Sequence, residues 1–199
     1  MGNKMKNIAV LVSGGGSNLQ AIIDAIETGF IRDAKISCVI SSKEDAFGLK
    51  RARNHNIESI FLDASGLSRE EYTEKIIETL NDRKIDLVCL AGFMMILSPK
   101  IVQTYSHKII NIHPALLPKF GGKGMYGIHV HEKVIEEREK YTGATVHFVD
   151  EGCDTGSVII QEKVEVNGIT DPKELQQKVL KIEHKIYPIA VKMFIEEKI

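Results

Sequence analysis

The sequence predicts an α/β fold in which a mostly parallel, twisted sheet of about seven strands carries helices on both faces. Short runs rich in β-branched residues alternate with amphipathic stretches, which is typical of parallel strands joined by helices. The first run, residues 7–12, is apolar throughout, so we expect it to be buried on both faces. A length of 199 residues with 43% apolar residues suits one domain over residues 1–199, with a flexible start at residues 1–5.

In the first part of the chain, predicted strands alternate with helices. The first helix starts at Ser17, places Leu19, Ile22 and Ile26 on one face, and ends at Gly29. A later helix opens at Ser68 with the Ser-x-x-Glu pattern of a capping box. The predicted strands cover residues 7–12, 35–41, 57–62, 86–90 and 107–112. The predicted helices cover residues 17–29, 45–55 and 68–83, with a short one after Pro99.

The last third of the chain has a different pattern. A glycine-rich loop, residues 121–127, precedes a predicted helix over 129–140. Two strands over 142–149 and 157–166 then flank an acidic loop. The final helix, 172–197, has an apolar stripe and contains Pro188, which we expect to kink it.

Charge and composition exclude several classes of protein. The net charge is −1 and the basic residues are dispersed, so we expect no nucleic-acid or membrane-surface partner. The longest mostly apolar run, residues 87–97, is too short to cross a bilayer, and the start does not resemble a signal peptide. Cys38, Cys89 and Cys153 form no CxxC pair, which predicts reduced thiols in the cytoplasm.

A glycine-rich segment, Ser13-Gly-Gly-Gly-Ser-Asn18, joins the first strand to its helix. Glycines let the backbone turn its N–H groups toward a ligand, and the helix start adds a partial positive charge, so a phosphate is the expected ligand. The segment lacks the ending of a P-loop, and Leu19 occupies the place of the third glycine of a dinucleotide fingerprint. A phosphate monoester is therefore favoured over NAD, and a glycine turn without a ligand is the alternative.

Asn111 and His113 lie two residues apart at the end of a strand, so both side chains leave the same face. Pro114 ends the strand because it has no N–H to donate. If the loop containing Asp154 folds over this strand, its carboxylate would raise the pKa of His113. An imidazolium beside an amide would stabilise an oxyanion. This predicts acyl transfer to a nucleophile of the substrate; the alternative is a buried histidine that caps the strand.

Histidines elsewhere raise the alternative of a metal site. His129 and His131 are two residues apart on a predicted helix and therefore point in different directions. Together with His113, His147 and Asp154 they show no diagnostic ligand spacing. We therefore expect no metal, and we expect His147 to pack or to form hydrogen bonds on its strand.

Six segments occur in order along the chain: Ser13-Gly-x-Gly-Ser-Asn-Leu-Gln-Ala-Ile, Leu90-Ala-Gly-Phe-Met, Ile96-Leu-Ser-Pro, Asn111-Ile-His-Pro-Ala-Leu-Leu-Pro, Val146-His-Phe-Val-Asp and Glu183-His-x-Ile-Tyr-Pro188. This pattern resembles the phosphoribosylglycinamide formyltransferases, a folate-dependent family of purine biosynthesis. The resemblance covers essentially the whole chain. It implies a Rossmann-like formyltransferase fold and formyl transfer from 10-formyltetrahydrofolate to the primary amine of glycinamide ribonucleotide.

The resemblance also implies a role for each site residue. Asn111 and His113 would stabilise the oxyanion, and Asp154 would keep His113 protonated. The ribonucleotide would bind at Gly16, Ser17, Asn18 and Glu183. The folate would bind at Arg69, Met94, Met95, Ile96, Leu97, Asn111, Asp150, Glu151, Gly152, Cys153 and Asp154. The implied partners are these two small molecules, and the protein would act as a monomer or a homodimer.

Two departures and three alternatives accompany the resemblance. Met95 stands where better-known members have an arginine, and the loop after Phe120 is longer than in many relatives. Methionyl-tRNA formyltransferase would add a C-terminal domain and a basic surface, and formyltetrahydrofolate hydrolase would add an N-terminal regulatory domain. We therefore expect neither of these two enzymes. The third alternative is a nucleotide-binding protein without catalysis.

Overall fold

A computed structural model of the protein describes residues 4–199. Within them, seven strands and six helices follow the order β1 (Lys6–Val12), α1 (Ser17–Glu27), β2 (Ala34–Ser41), α2 (Phe47–Asn54), β3 (Glu58–Phe61), α3 (Arg69–Asp82), β4 (Leu87–Leu90), α4 (Pro99–Thr104), β5 (Ile109–His113), α5 (Ile128–Glu136), β6 (Tyr141–Phe148), β7 (Val158–Glu165) and α6 (Pro172–Ile195). The predicted flexible start falls partly on residues 1–3, which lie outside the described residues.

The strands of this part of the chain form one sheet in the order β3-β2-β1-β4-β5-β6-β7. The five strands from β3 to β5 run parallel, whereas β6 is antiparallel to both β5 and β7. The predicted fold class, a mostly parallel sheet of about seven strands, is confirmed.

Apolar side chains pack on both faces of the sheet. Along β1, Val10 joins the core cluster that contains α1 and α6, whereas its neighbour Leu11 joins the cluster that contains α3 and α4. This alternation explains why the first strand is apolar throughout. It also confirms that helices cover both faces.

Most boundaries differ from prediction by one or two residues, and one differs by more. Helix α5 ends at Glu136 instead of residue 140, and Arg138 beyond it adopts a φ of 54°. A left-handed residue ends a helix, and no glycine marks this position in the sequence. The predicted capping box at Ser68 is present, with Glu71 as its partner. Helix α6 is continuous through Pro188, where the predicted kink stays a prediction.

None of the helices within residues 4–199 combines the length and the apolar character needed to cross a membrane. In the same residues, no group of three histidine, cysteine, aspartate or glutamate side chains is arranged to hold a metal ion.

Candidate active site

The candidate site lies at the carboxyl ends of the central parallel strands. Strand β1 pairs with β2 on one side and β4 on the other, and both neighbours are parallel to it. The order in which strands are added to the sheet therefore reverses between β1 and β4. Open α/β sheets bind ligands in the crevice at such a reversal. The loops that follow β1 and β4 begin at this edge of the sheet and contain Gly16 and residues 94–97, and strand β5, which carries Asn111 and His113, ends there.

His113 is the last residue of β5 and is almost fully buried. Its Nε2 donates to the main-chain oxygen of Phe120 at 2.7 Å. Its Nδ1 lies 3.6 Å from Oδ2 of Asp154. Asn111, two residues earlier, has its amide nitrogen 3.5 Å from Oδ1 of the same carboxylate. The structure therefore brings the three predicted catalytic residues together.

Asp154 owes its position to an unusual stretch of backbone. Its φ is 58°, a left-handed conformation that aspartate tolerates better than most residues. A Cβ at Gly156 would lie 1.8 Å from the oxygen of Phe148, so the loop can return to β6 only with glycine at this position. Gly122, in the glycine-rich loop, donates its N–H to Oδ2 of Asp154 at 3.0 Å. Two separate loops thus meet at one carboxylate.

His147 is a fourth member of this group that the sequence analysis assigned only a packing or hydrogen-bonding role. It pairs with Asn111 in the antiparallel ladder between β5 and β6. Its Nε2 lies 3.2 Å from the amide nitrogen of Asn111 and 3.6 Å from Oδ1 of Asp154. Its Nδ1 donates to the main-chain oxygen of Phe148 at 2.8 Å. The spacing of two residues between Thr145 and His147 places both side chains on one face of β6. Only the pairing of β6 with β5 places His147 beside Asn111.

The Asp154 carboxylate acts on the pKa of His113 in the predicted direction, but it does not set the net shift. Burial lowers the pKa of this imidazole, and the neighbouring His147 lowers it further. The Asp154 carboxylate and the Phe120 carbonyl act in the opposite direction, but they offset only part of the effect of burial. Burial therefore favours the neutral form of this imidazole in the free protein.

Asp154 stays ionised for a related reason. Burial raises its pKa, but the contacts with His147 and His113 and the hydrogen bond from Gly122 together lower the pKa below its ordinary value. A carboxylate between two imidazoles is suited to attract a proton onto either of them.

The glycine-rich segment after β1 forms the start of α1. Gly16 is the N-cap with a φ of 68°, and among the described residues no side chain caps this helix start. A Cβ at Gly16 would lie 2.7 Å from the Cα of Gly48, whose N–H donates to the oxygen of Gly14 at 3.0 Å. Since the first amides of α1 are open, the helix start can bind an anion at Ser17 and Asn18.

Arg51 extends this segment, and the sequence analysis did not single it out. Its Nε donates to the oxygen of Gly15 at 2.8 Å, and its Nη1 donates to Oε1 of Gln20 at 3.1 Å. The guanidinium also lies 4.9 Å from the ring centroid of Phe47. No local pattern predicts the contact with Gly15, because 36 positions separate it from Arg51.

Glu183 projects from α6 to the start of α1. Its Oε2 accepts a 2.6 Å hydrogen bond from the amide of Asn18, and burial raises the pKa of Glu183. The amide oxygen of Asn18 is buried and has no partner within residues 4–199. Four residues further along α6, the Tyr187 hydroxyl donates to the oxygen of Leu90 at 2.8 Å and lies 3.2 Å from that of Ile110. Helix α6 thus contacts both the predicted ribonucleotide segment and β5, the strand that contains Asn111.

The segment after β4 presents apolar side chains to solvent. Met94, Met95 and Ile96 are all exposed, Ile96 by 64%. The segment is held in place at both ends: the N–H of Met94 donates to Oγ of Ser13 at 2.9 Å, and Nε of Arg69 donates to the oxygen of Leu97 at 2.9 Å. A fixed and exposed apolar segment suits an aromatic ligand.

The acidic loop is held from within and from α4. Oδ1 of Asp150 accepts from the N–H of Gly152 at 3.0 Å and from the hydroxyl of Thr155 at 2.7 Å. Glu151 accepts from Gln103 of α4 at 3.1 Å, and Cys153 is exposed. Glu151 and Arg69 are both predicted folate residues. They contact Gln103 and the main chain at Leu97, and not the three catalytic residues.

Comparison with known proteins agrees with this geometry. The family model described as formyl transferase matches residues 6–191. The chain is 42% identical to a phosphoribosylglycinamide formyltransferase of Haemophilus influenzae, over 98% of this chain and 90% of that protein. It is 41% identical to the human trifunctional purine biosynthetic protein adenosine-3, over 96% of this chain but 18% of that longer protein. A crystal structure of glycinamide ribonucleotide transformylase 1 from Symbiobacterium toebii superposes with a TM-score of 0.91 at 38% identity, covering 97% of this chain and 89% of that one. The chain belongs to the formyl transferase family.

Proposed function

We propose that the protein transfers the formyl group of 10-formyltetrahydrofolate to the primary amine of glycinamide ribonucleotide. The products are formylglycinamide ribonucleotide and tetrahydrofolate, in purine biosynthesis. The observation that carries this proposal is the convergence of Asn111, His113 and Asp154 beside a helix start with open amides. The names of the similar proteins, phosphoribosylglycinamide formyltransferase above all, support this substrate pair.

In the reaction, the amine nitrogen attacks the formyl carbon, and the carbonyl oxygen becomes an oxyanion. The Asn111 amide donates a hydrogen bond to this oxyanion. The attacking nitrogen gains positive charge as the new bond forms, so it releases a proton. The imidazole of His113 is the acceptor, since burial favours its neutral form before the attack.

Once protonated, His113 lies between two negative charges, the oxyanion and Asp154. Both charges stabilise the imidazolium that burial alone disfavours. The tetrahedral intermediate then collapses, the bond from the formyl carbon to N10 of the folate breaks, and the imidazolium returns its proton to that nitrogen. Asp154 therefore stabilises the charged form of His113 during the reaction.

Two separate regions bind the substrates. The ribonucleotide phosphate binds the amides of Gly16, Ser17 and Asn18, where the helix start attracts an anion. The buried carboxylate of Glu183 faces the glycinamide end of the substrate. There the N–H groups of the amine donate hydrogen bonds to this carboxylate and to the free amide oxygen of Asn18.

The folate ring packs on Met94, Met95, Ile96 and Leu97, and the loop from Asp150 to Asp154 closes the other side. Arg69 holds the oxygen of Leu97 and supplies a positive charge at the edge of this segment. Because Met95 is uncharged, the only contacts to folate expected at this position are apolar ones and those of the backbone.

The test is the absorbance change on deformylation of 10-formyl-5,8-dideazafolate, with and without glycinamide ribonucleotide. Product formed only with the ribonucleotide supports the transferase. Product formed without it indicates a hydrolase, and no product from folded protein that binds both compounds indicates a binding protein.

We also propose that residues 1–199 act as one domain in the cytoplasm, as a monomer or homodimer without nucleic-acid partners. Size-exclusion chromatography with light scattering tests the oligomeric state.

A further inference from the structure

We propose that the side chain of Ser13 is a positioning group that joins the ribonucleotide segment to the folate segment, so that each substrate strengthens the binding of the other. The ribonucleotide segment is Gly16, Ser17 and Asn18, and the folate segment is residues 94–97. The inference rests on the proposed function for the identity of the two substrates. The link itself is a set of hydrogen bonds between the loops that follow β1, β2 and β4.

Ser13 is the first residue after β1, and its side chain is buried. Its Oγ accepts the N–H of Met94 at 2.9 Å and shares a second 2.9 Å hydrogen bond with the hydroxyl of Ser42. Its own N–H donates to the oxygen of Gly92 at 3.1 Å. A hydroxyl has one proton and two lone pairs, so it can serve both partners at once. One buried residue therefore joins three loops at the edge of the sheet that carries the candidate site.

The two glycines that separate Ser13 from the start of α1 are held by α2. The oxygen of Gly14 accepts the N–H of Gly48 at 3.0 Å, and the oxygen of Gly15 accepts from Nε of Arg51 at 2.8 Å. Glycines without such contacts would absorb a displacement of the helix start by rotating their backbone. Because both carbonyls are held, a displacement of the helix start is passed on to Ser13.

The folate segment is held by a hydroxyl at each end. At its first residue the N–H of Met94 donates to Ser13, and just beyond its last residue the N–H of Ser98 donates to Oγ1 of Thr73 at 2.9 Å. Thr73 lies on α3 and is fully buried. The two hydroxyls make the same kind of contact with the segment, but only Ser13 is also joined to the ribonucleotide segment. Thr73 is therefore a matched control for Ser13.

Binding at either segment should restrict the same hydroxyl. The side chains of Met94, Met95 and Ile96 are exposed, so core packing contributes little to their position. A folate that packs on them limits the motion of the loop after β4, and a phosphate at the helix start limits the motion of the loop after β1. Since Ser13 joins these loops, the second ligand to bind loses less conformational entropy than the first. The effect must be reciprocal, because it is a free energy shared by two sites.

The experiment measures the dissociation constant of glycinamide ribonucleotide by isothermal titration, with and without saturating 5,8-dideazafolate. This folate analogue has no formyl group, so no reaction occurs during the titration. The coupling ratio is the constant without the analogue divided by the constant with it. The ratio is measured for wild type, Ser13→Ala, Thr73→Val and Ser42→Ala. Valine keeps the shape of threonine without its hydroxyl, and circular dichroism checks that each variant is folded.

We expect a coupling ratio of about tenfold for wild type and close to one for Ser13→Ala. Thr73→Val should weaken the binding of 5,8-dideazafolate but keep the ratio within about twofold of wild type, because the link to the ribonucleotide segment is intact. Ser42→Ala should also keep the ratio, since the N–H of Met94 retains its acceptor.

A coupling ratio close to one in wild type would overturn the proposal, even if Ser13→Ala failed to fold. A folded Ser13→Ala with the wild-type ratio would do the same. An equal loss of coupling in Thr73→Val would also contradict it, because any loosening of the folate segment would then have this effect. Wild-type protein that shows the coupling but transfers no formyl group from 10-formyl-5,8-dideazafolate would overturn the proposed function alone.

Discussion

The two sides of the candidate site are built differently. On one side, the loop after β1 offers backbone amides of a helix start, and the polar partners come from nearby turns of α1, α2 and α6. On the other side, Asn111 and His113 on β5 meet His147 on the antiparallel strand β6 and Asp154 on the loop beyond it. The first side is suited to hold a substrate and the second to move protons. The comparison predicts that binding and turnover can be lost separately.

The largest effect is expected from His113→Ala. Removing the proton acceptor should lower kcat by about 10³-fold, while ribonucleotide affinity stays within a few-fold, because the phosphate binds on the other side. Steady-state kinetics and isothermal titration with the ribonucleotide measure the two quantities. The matched control is His129→Ala, an exposed histidine on α5 whose contact is with Glu132. Equal loss of affinity and turnover would mean that His113 supports the whole site and the two sides are not separable.

Gly16→Ala should have the opposite profile. A Cβ at Gly16 meets the Cα of Gly48 at 2.7 Å, and the φ of 68° is unfavourable for alanine, so the helix start must shift. We expect KM for the ribonucleotide to rise about 30-fold while kcat at saturation falls by less than about threefold. Gly15→Ala is the control, because no atom lies within 4 Å of a Cβ there. A fall in kcat with an unchanged KM would break the comparison.

The next effect concerns stability and belongs to the side that contains His113. Burial and, to a smaller extent, the neighbouring His113 lower the pKa of His131 from 6.5 to about 4. Between about pH 7 and pH 4 the unfolded chain therefore binds a proton that the folded chain excludes, and stability falls as the pH falls. A shift of this size corresponds to about 3 kcal/mol.

His131→Gln should remove this share of the acid sensitivity. Urea unfolding at about pH 7 and about pH 4.5 gives the free energies of both proteins. The variant should lose clearly less stability on acidification than wild type, whatever its stability at neutral pH. Identical losses would show that His131 takes up a proton in the folded protein.

The smallest effect is expected from His147→Ala. Asn111 would lose the acceptor that orients its amide, while Asp154 would keep His113 and Gly122 as neighbours. We expect kcat to fall about tenfold with little change in KM, since orientation alone is lost. A loss as large as that of His113→Ala would show that His147 itself carries the proton.

The sequence predicted local features of both sides better than contacts between distant segments. The glycine segment, the start of α1 at Ser17 and the shared face of Asn111 and His113 are local features, so spacing of two or 3.6 residues is enough to place them. The position of His147 depends on the register between β5 and β6, which are separated by more than 25 residues. Local periodicity contains no information on that register.

The net direction of the pKa shift of His113 could not be predicted for a similar reason. The sequence suggested a nearby carboxylate, and Asp154 does lie 3.6 Å away. What it could not give was the depth of burial, which depends on how α5 and the glycine-rich loop pack over the strand end. Burial outweighs the ion pair, and it reverses the direction of the shift. Arg51 was missed because its contacts join separate turns of the chain.

Helix α6 places Glu183 and Tyr187 one turn apart, with the first on the start of α1 and the second on the end of β4 and the beginning of β5. Inserting one residue between them would rotate one contact by about 100° relative to the other. The spacing of these two positions therefore limits which insertions and deletions the chain can tolerate during evolution.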